Sequence, residues 1–143
     1  MIRKSAQGVL PYPCEQVYAV VADVERYPEF VPGWLDAKIV AHGDEGLRVE
    51  QELRLGPASW RFESVARLDR PRRIHIHAAS GPFETLSIQW RFEPLGTGCR
   101  VALELTARMR PRLLEGPYGA LLDRQAEMLW NVFARRVARL QAG

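Results

Sequence analysis

Four sets of residues in this chain are of types that do chemistry. His75-Ile-His77 sets two imidazoles two apart on a strand, a spacing that serves a metal when a third protein ligand joins them. Ile74, Ile76 and Ala78 claim the opposite, inward face, so both histidines are expected to face water. Glu50 and Glu52 fall on the polar side of their strand, where a charged outer face accounts for them. Asp23, Glu25 and Glu29 flank a corner between two short helices and are expected to cap and solubilise the helix ends. Cys14 and Cys99 lie in segments of different type and are too few for a disulfide framework, so both are expected as reduced thiols. Cys14 falls in a first helical turn, where the dipole lowers a thiol pKa. The chain has no Gly-x-Ser-x-Gly elbow, Walker loop, dinucleotide-binding glycine pattern or His-Glu-x-x-His. No catalytic or metal-ligating residue is assigned.

Charge supplies a second kind of chemistry. Up to Trp60 there are nine acids and six bases, and from Arg61 onward fourteen bases and eight acids. The basic residues of the second half are arginines, which suit phosphate and carboxylate. Arg108, Arg110, Arg112, Arg124, Arg135, Arg136 and Arg139 mark the last helix and its approach. Of these, Arg112, Arg124, Arg135, Arg136 and Arg139 are candidate contacts to lipid or RNA phosphate. A solvated helix face, partly neutralised by Glu115, Asp123 and Glu127, explains the same pattern.

These side chains need elements to position them. At 143 residues, 47% hydrophobic and 26% charged, the chain has the balance of one globular domain spanning residues 1–143. It contains no apolar run of about 18 residues and no apolar stretch behind its N-terminal cations, so a cytoplasmic protein is expected. Ile2–Leu10 reads as an edge or first strand, ended by Pro11 and Pro13. Val17, Tyr18, Val21 and Val24 recur at helical spacing from Cys14 to about Asp23. A second short helix is expected to begin at Pro28 and to stop at Pro32-Gly33. Six strands follow. Ala37, Ile39 and Ala41 face inward on the first, Leu47, Val49, Gln51, Leu53 and Leu55 on the next, and Trp60, Phe62, Ser64, Ala66 and Leu68 on the third. The remaining three are expected over Ile74–Ala79, Phe83–Glu93 and Arg100–Met109, with Gly- and Pro-rich turns between strands. From Arg112 to Leu140 the period is helical, with Leu114, Tyr118, Leu121, Leu122, Gln125, Leu129, Val132, Phe133, Val137 and Leu140 on one stripe. Such a helix would be roughly 40 Å long, its first turns interrupted at Gly116, Pro117 and Gly119. The reading is α+β: an antiparallel sheet in the order β-α-α-β6-α, its dry face covered by the terminal helix.

The inward positions form one apolar set. Phe30, Val31 and Trp34 come from the helical corner, Trp60, Phe62, Phe83, Leu86, Trp90, Leu103 and Leu105 from strands, and Leu121, Leu122, Leu129 and Phe133 from the helix. Ile88 and Phe92 join them. Such a set is a core, or the lining of a ligand cavity. Gln51, Ser64 and Gln125 also point inward, and each needs a hydrogen-bond partner, whether a ligand's carbonyl, backbone or water.

Taken in order, Val21-Ala-Asp-Val-Glu-Arg-Tyr-Pro-Glu-Phe-Val-Pro32, Gly81-Pro-Phe83, Trp90-Arg-Phe-Glu-Pro-Leu-Gly96, Cys99-Arg-Val101 and the arginine-rich helix resemble the coenzyme Q-binding family of START-like (polyketide cyclase/dehydrase-like) domains. That family also contains the ribosome association toxin. The resemblance runs from about Val9 to Leu140. It implies a helix-grip fold, a curved sheet around the long helix with a cavity between them and the two short helices as a lid. It further implies non-enzymatic binding of a hydrophobic small molecule, an isoprenoid quinone or lipid, with no cofactor required. The tail would lie along Leu103, Leu105, Leu121, Leu129 and Phe133, with Tyr27, Trp34 and Gln125 near a head group. Such a chaperone would support respiration, in peripheral contact with the inner membrane. The alternative implied is a translation inhibitor on ribosomal RNA, and a third is a cyclase or dehydratase; no DNA contact is expected. Where many relatives carry Pro-Trp, this chain has Pro32-Gly33-Trp34.

Overall fold

Alternation of period two, sustained through seven segments, yields one antiparallel sheet. The computed structural model describes residues 1–110 and 124–142. Its strands are β1 Ile2–Leu10, β2 Trp34–Gly43, β3 Gly46–Leu55, β4 Ala58–Asp69, β5 Arg73–Ala78, β6 Phe83–Leu95 and β7 Gly98–Met109. Helix α1 spans Cys14–Ala22, a 3-10 helix spans Val24–Glu29, and α2 spans Gln125–Ala142. The spatial order is β1-β7-β6-β5-β4-β3-β2, with neighbours antiparallel. β1 and β2 are successive strands on opposite edges, so α1 and the 3-10 helix carry the chain from one edge to the other. This is the α+β architecture expected from the pattern. Arg112, Leu114, Tyr118, Leu121, Leu122 and the Gly116-Pro117 interruption lie outside the described residues.

Register irregularities in β2, at Trp34/Asp36 and Ile39/Ala41, and in β6, at Phe83/Thr85, bend their strands. The inner face buries Val49, Phe62, Ala66, Ile74, Ile76, Leu86, Ile88, Trp90, Phe92, Val101, Leu103 and Leu105. α2 is 18 residues, about 27 Å, and buries Ala126, Leu129, Val132, Phe133 and Val137 against β1, β7 and α1. Trp130 adds a contact absent from the expected stripe. Its Nε1 donates to the Val101 carbonyl at 2.9 Å, and its ring lies over Gly8, the residue paired with Val101 across β1 and β7. A Cβ at Gly8 would stand 2.5 Å from the Trp130 Cζ2.

Several expectations are corrected. The second short helix is a 3-10 helix that begins at Val24, not at Pro28, and holds Pro28 inside it. Its tight turns run through Arg26 N–H to the Asp23 carbonyl and Phe30 N–H to the Tyr27 carbonyl, at 3.1 Å each, and neither needs the amide proton that proline lacks. Gly33, at φ +85°, then turns the chain into β2. Cys14 and Cys99 are not free thiols but a disulfide. Cys99 pairs with Leu10, and Pro11-Tyr-Pro13 starts α1 at once, which brings the two Cα atoms to 5.0 Å. Leu68 and Leu140, expected inward, are 42% and 50% exposed, because each lies at the end of its element, past the cover of the neighbouring layer. Asp23 makes no side-chain cap bond.

Because the Trp130 ring must shift or Gly8 must move, Gly8→Val should destabilise the fold by about 1–3 kcal/mol. Urea unfolding measures this. The cost should fall in a Trp130→Leu background, and an equal cost in both backgrounds would rule out the contact as its source.

Candidate functional site

The interior between lid, sheet and α2 is built around Phe133. Its ring meets Tyr27 of the 3-10 helix at 5.0 Å, Phe30 at 5.2 Å and Trp90 of β6 at 5.1 Å, all edge to face. Tyr27 also meets Trp34 at 5.5 Å, and Trp90 stacks parallel to Phe92, which touches Tyr18 of α1. α1, the 3-10 helix, β2, β6 and α2 are thus joined by one aromatic cluster. Phe62 and Phe83 form a second pair at 5.2 Å. Tyr27 is buried, and its hydroxyl donates to the Val21 carbonyl in the last turn of α1. Burial raises its pKa, reinforced by the nearby Asp23 carboxylate.

Away from α2, the register places Trp34, Leu53 and Trp60 side by side across β2, β3 and β4. One step along, Gln51 stands opposite Phe62, and its Nε2 donates to Ser64 Oγ at 2.6 Å. These two inward polar groups therefore satisfy each other. The indole Nε1 atoms of Trp34 and Trp60 are buried and have no hydrogen-bond partner among the described residues, as has the Tyr18 hydroxyl. Tyr18 has the Arg70 guanidinium 5.2 Å over its ring; burial raises its pKa and Arg70 partly offsets that.

The remaining candidates fall in distinct places. Leu86, Leu103, Leu105 and Leu129 are buried in the core beside the aromatic cluster, and Gln125 is the half-buried first residue of α2. Arg135, Arg136 and Arg139 share a groove of about 260 Å³ with Phe30, Pro32 and Val132. Arg136 lies over Phe30 at 4.7 Å and bonds Glu29 at 3.4 Å, which holds α2 to the lid. Arg124 sits about 16 Å away along the helix, beside Glu127 and Asn131. Arg112, Leu121 and Leu122 are outside the described residues.

The expected chemistry of the polar residues is also placed. His77 is exposed, and half-buried His75 contacts Ser87 Oγ through Nε2 at 2.9 Å; desolvation, then His77 and Arg67, lower its pKa. Among the described residues no three His, Cys, Asp or Glu side chains converge as a metal site would require. Glu25 accepts the Ile39 N–H at 3.0 Å, and Glu52 accepts from Ser59 and Arg61. Two features escaped the sequence reading, the Cys14–Cys99 bond and the Trp130 contact. Gly8, an inward glycine in a strand, was the available signal for the second.

Residues 10–136 match the family model described as polyketide cyclase / dehydrase and lipid transport. The chain belongs to this family. It is 34% identical over 141 residues, 97% of this chain and 96% of the relative, to the ribosome association toxin RatA of Pseudomonas aeruginosa. It is 26% identical to a mitochondrial coenzyme Q-binding protein of Dictyostelium discoideum, covering 98% of this chain and 71% of that one. Among solved structures, an 18 kDa protein of Caulobacter crescentus superposes over the full length of both chains with TM-score 0.78 at 28% identity. A Streptomyces aromatase/cyclase gives TM-score 0.85 at 18% identity over 96% of this chain and 93% of that one, a likeness of fold. These matches confirm the START-like fold and family. No described helix is long and apolar enough to cross a membrane.

The phenol of Tyr27 predicts a pH effect. The unfolded chain ionises this group near pH 10 while the folded chain keeps it protonated. Its contribution should be complete below pH 10 and fall as pH rises beyond it. Tyr27→Phe should flatten that alkaline loss, seen as a smaller change in urea midpoint between pH 9 and pH 11; an unchanged slope would mean that another group titrates.

Proposed function

We propose that this protein is a non-enzymatic carrier that holds a hydrophobic ligand, an isoprenoid quinone or a related lipid, between the inner sheet face and α2. The observation that carries this reading is the pair of buried indole N–H groups of Trp34 and Trp60 on one apolar surface. An unpartnered buried donor costs about 1–3 kcal/mol, and a ligand carbonyl would recover that cost. The carbonyl of a quinone ring or an acyl ester has the required acceptor and brings an apolar tail. On this reading the tail lies against Leu103, Leu105, Leu129 and Phe133, and Trp34 and Trp60 orient the head group. The lipid-transport description of the family and the coenzyme Q-binding name of the Dictyostelium relative support it.

Protein purified without detergent from a quinone-producing host and extracted with organic solvent should yield near-equimolar quinone or lipid by mass spectrometry. Trp34→Phe with Trp60→Phe should weaken retention by about 3- to 10-fold per donor removed, and Leu129→Arg should abolish it. Absence of any stoichiometric apolar molecule from freshly purified wild-type protein would count against the carrier.

A second reading, association with the ribosome as an inhibitor of translation, is favoured by the near-full-length likeness to the Pseudomonas toxin and by the Arg135, Arg136 and Arg139 groove. Guanidinium groups grouped on one helix suit the phosphates of ribosomal RNA. If it holds, overexpression should deplete joined ribosomes in a sucrose gradient, and Arg135→Glu with Arg139→Glu should restore them. Unchanged profiles at high expression would remove this reading. A cyclase or dehydratase remains the third reading, and turnover of an aromatic or polyketide substrate would be its evidence.

A further inference from the structure

The end of the sheet remote from Trp60 carries a second basic centre. Arg73 of β5 stands directly opposite Arg91 of β6, and both side chains lie exposed on the outer face. Like charges in this relation are destabilising. On the far side of Arg73 is Asp69, whose carboxylate is 3.8 Å away, but Arg91 has Ala102 on its other side and no ion pair among the described residues. Arg72 joins them from the β4–β5 turn. Its carbonyl accepts the Phe92 N–H at 2.8 Å, which fastens the turn against β6, while its guanidinium also has no ion pair among the described residues. The three arginines, with Glu93, wall a cavity of about 750 Å³ whose apolar surface includes Pro71 and Pro94. Cys14, the first residue of α1, lines it too, and that helix has no side-chain cap at its N-terminus.

One net positive charge, left when Asp69 and Glu93 are set against the three arginines, two guanidinium groups without an ion pair among the described residues and a helix start without a side-chain cap all favour an anion with several acceptor oxygens. The surroundings indicate what carries it. Leu68, at the end of β4, is 42% exposed and Leu95, at the end of β6, is 45% exposed, so this end of the sheet also carries exposed apolar side chains. A nucleic-acid backbone offers nothing apolar to such leucines, whereas a bilayer interface offers both acyl chains and phosphate.

We infer that Arg72, Arg73 and Arg91 form a headgroup-phosphate site by which this pole of the sheet docks on anionic phospholipid. The inference rests on the lipid-carrier reading and adds the surface from which such a carrier would meet a membrane. It is a surface distinct from the Arg135–Arg139 groove beside the lid.

The test is co-sedimentation of the full chain with vesicles of phosphatidylcholine alone and of phosphatidylcholine with phosphatidylglycerol in equal parts. Binding should require phosphatidylglycerol and weaken with salt. Arg73→Gln with Arg91→Gln should lower partitioning about tenfold or more, Leu68→Ser with Leu95→Ser should lower it further, and Arg135→Gln with Arg139→Gln should leave it unchanged. Because it relieves a like-charge pair, Arg91→Gln should not lower the unfolding temperature, which separates lost docking from lost fold. Equal partitioning to both vesicle types, or none to either, would overturn the site. So would binding of a labelled single-stranded RNA that is lost in the Arg73/Arg91 variant while vesicles are ignored. Solvent extraction of the same preparations keeps the two ideas apart: an empty interior with arginine-dependent vesicle binding defeats only the carrier, and a loaded interior without such binding defeats only the docking pole.

Discussion

Phe133 is the contact on which the arrangement of the layers depends. It comes from α2, yet its ring is held by Tyr27 and Phe30 of the lid and by Trp90 of the sheet. Truncating such a buried side chain to alanine costs about 3–5 kcal/mol, a large share of the net stability of a domain this size. The edge-to-face geometry also fixes orientation, since aromatic pairs lose energy when their rings are turned flat. The helix azimuth, the position of the 3-10 helix and the end of the interior it closes are therefore set together. Arg136 reinforces the same junction from outside, lying over Phe30 and bonded to Glu29.

A consequence is an inner face with two kinds of surface. Along β1 and β7, α2 packs closely enough that Trp130 leaves no space for a Cβ at Gly8. Across β2 to β4 the inward side chains include Gln51 and Ser64, bonded to each other, and two indoles whose donors have no partner among the described residues. A sequence selected only for stability would place aliphatic groups at Trp34 and Trp60, since an indole N–H adds desolvation cost without a bond. Retained donors at one end of an apolar surface are the arrangement by which binding sites orient a mainly apolar guest.

Much of this was legible in the sequence because strand alternation is a local signal. Ile74, Ile76 and Ala78 declared their face without reference to any other strand, and Leu103 and Leu105 did the same in β7. The family resemblance, carried by the Tyr27-Pro28 corner and the Trp90 segment, supplied the helix-grip arrangement that alternation alone leaves open. What escaped was non-local or concerned an uncommon geometry. Cys14 meets Cys99, at a sequence separation of 85, only through the β1–β7 register. Under α-helical rules Pro28 belongs at a helix start, whereas the 3-10 turn accepts it internally. Leu68 and Leu140 have the right periodicity, but periodicity does not say where the covering layer ends.

The two basic centres differ in what their charges already do, and that difference is physically informative. On α2, Arg136 is only 15% exposed and is committed to Glu29 and Phe30, so part of that cluster is structural. At the β4–β5 turn, Arg70 is bonded to Glu15 at 2.6 Å and lies over Tyr18, but Arg72 and Arg91 have no such partner among the described residues. Exposed ion pairs contribute little to stability, about 0–1 kcal/mol, so folding gives no strong reason to set Arg73 opposite Arg91. A charge arrangement that the fold does not need, at an end of the sheet that also exposes Leu68 and Leu95, is better explained by something outside the chain.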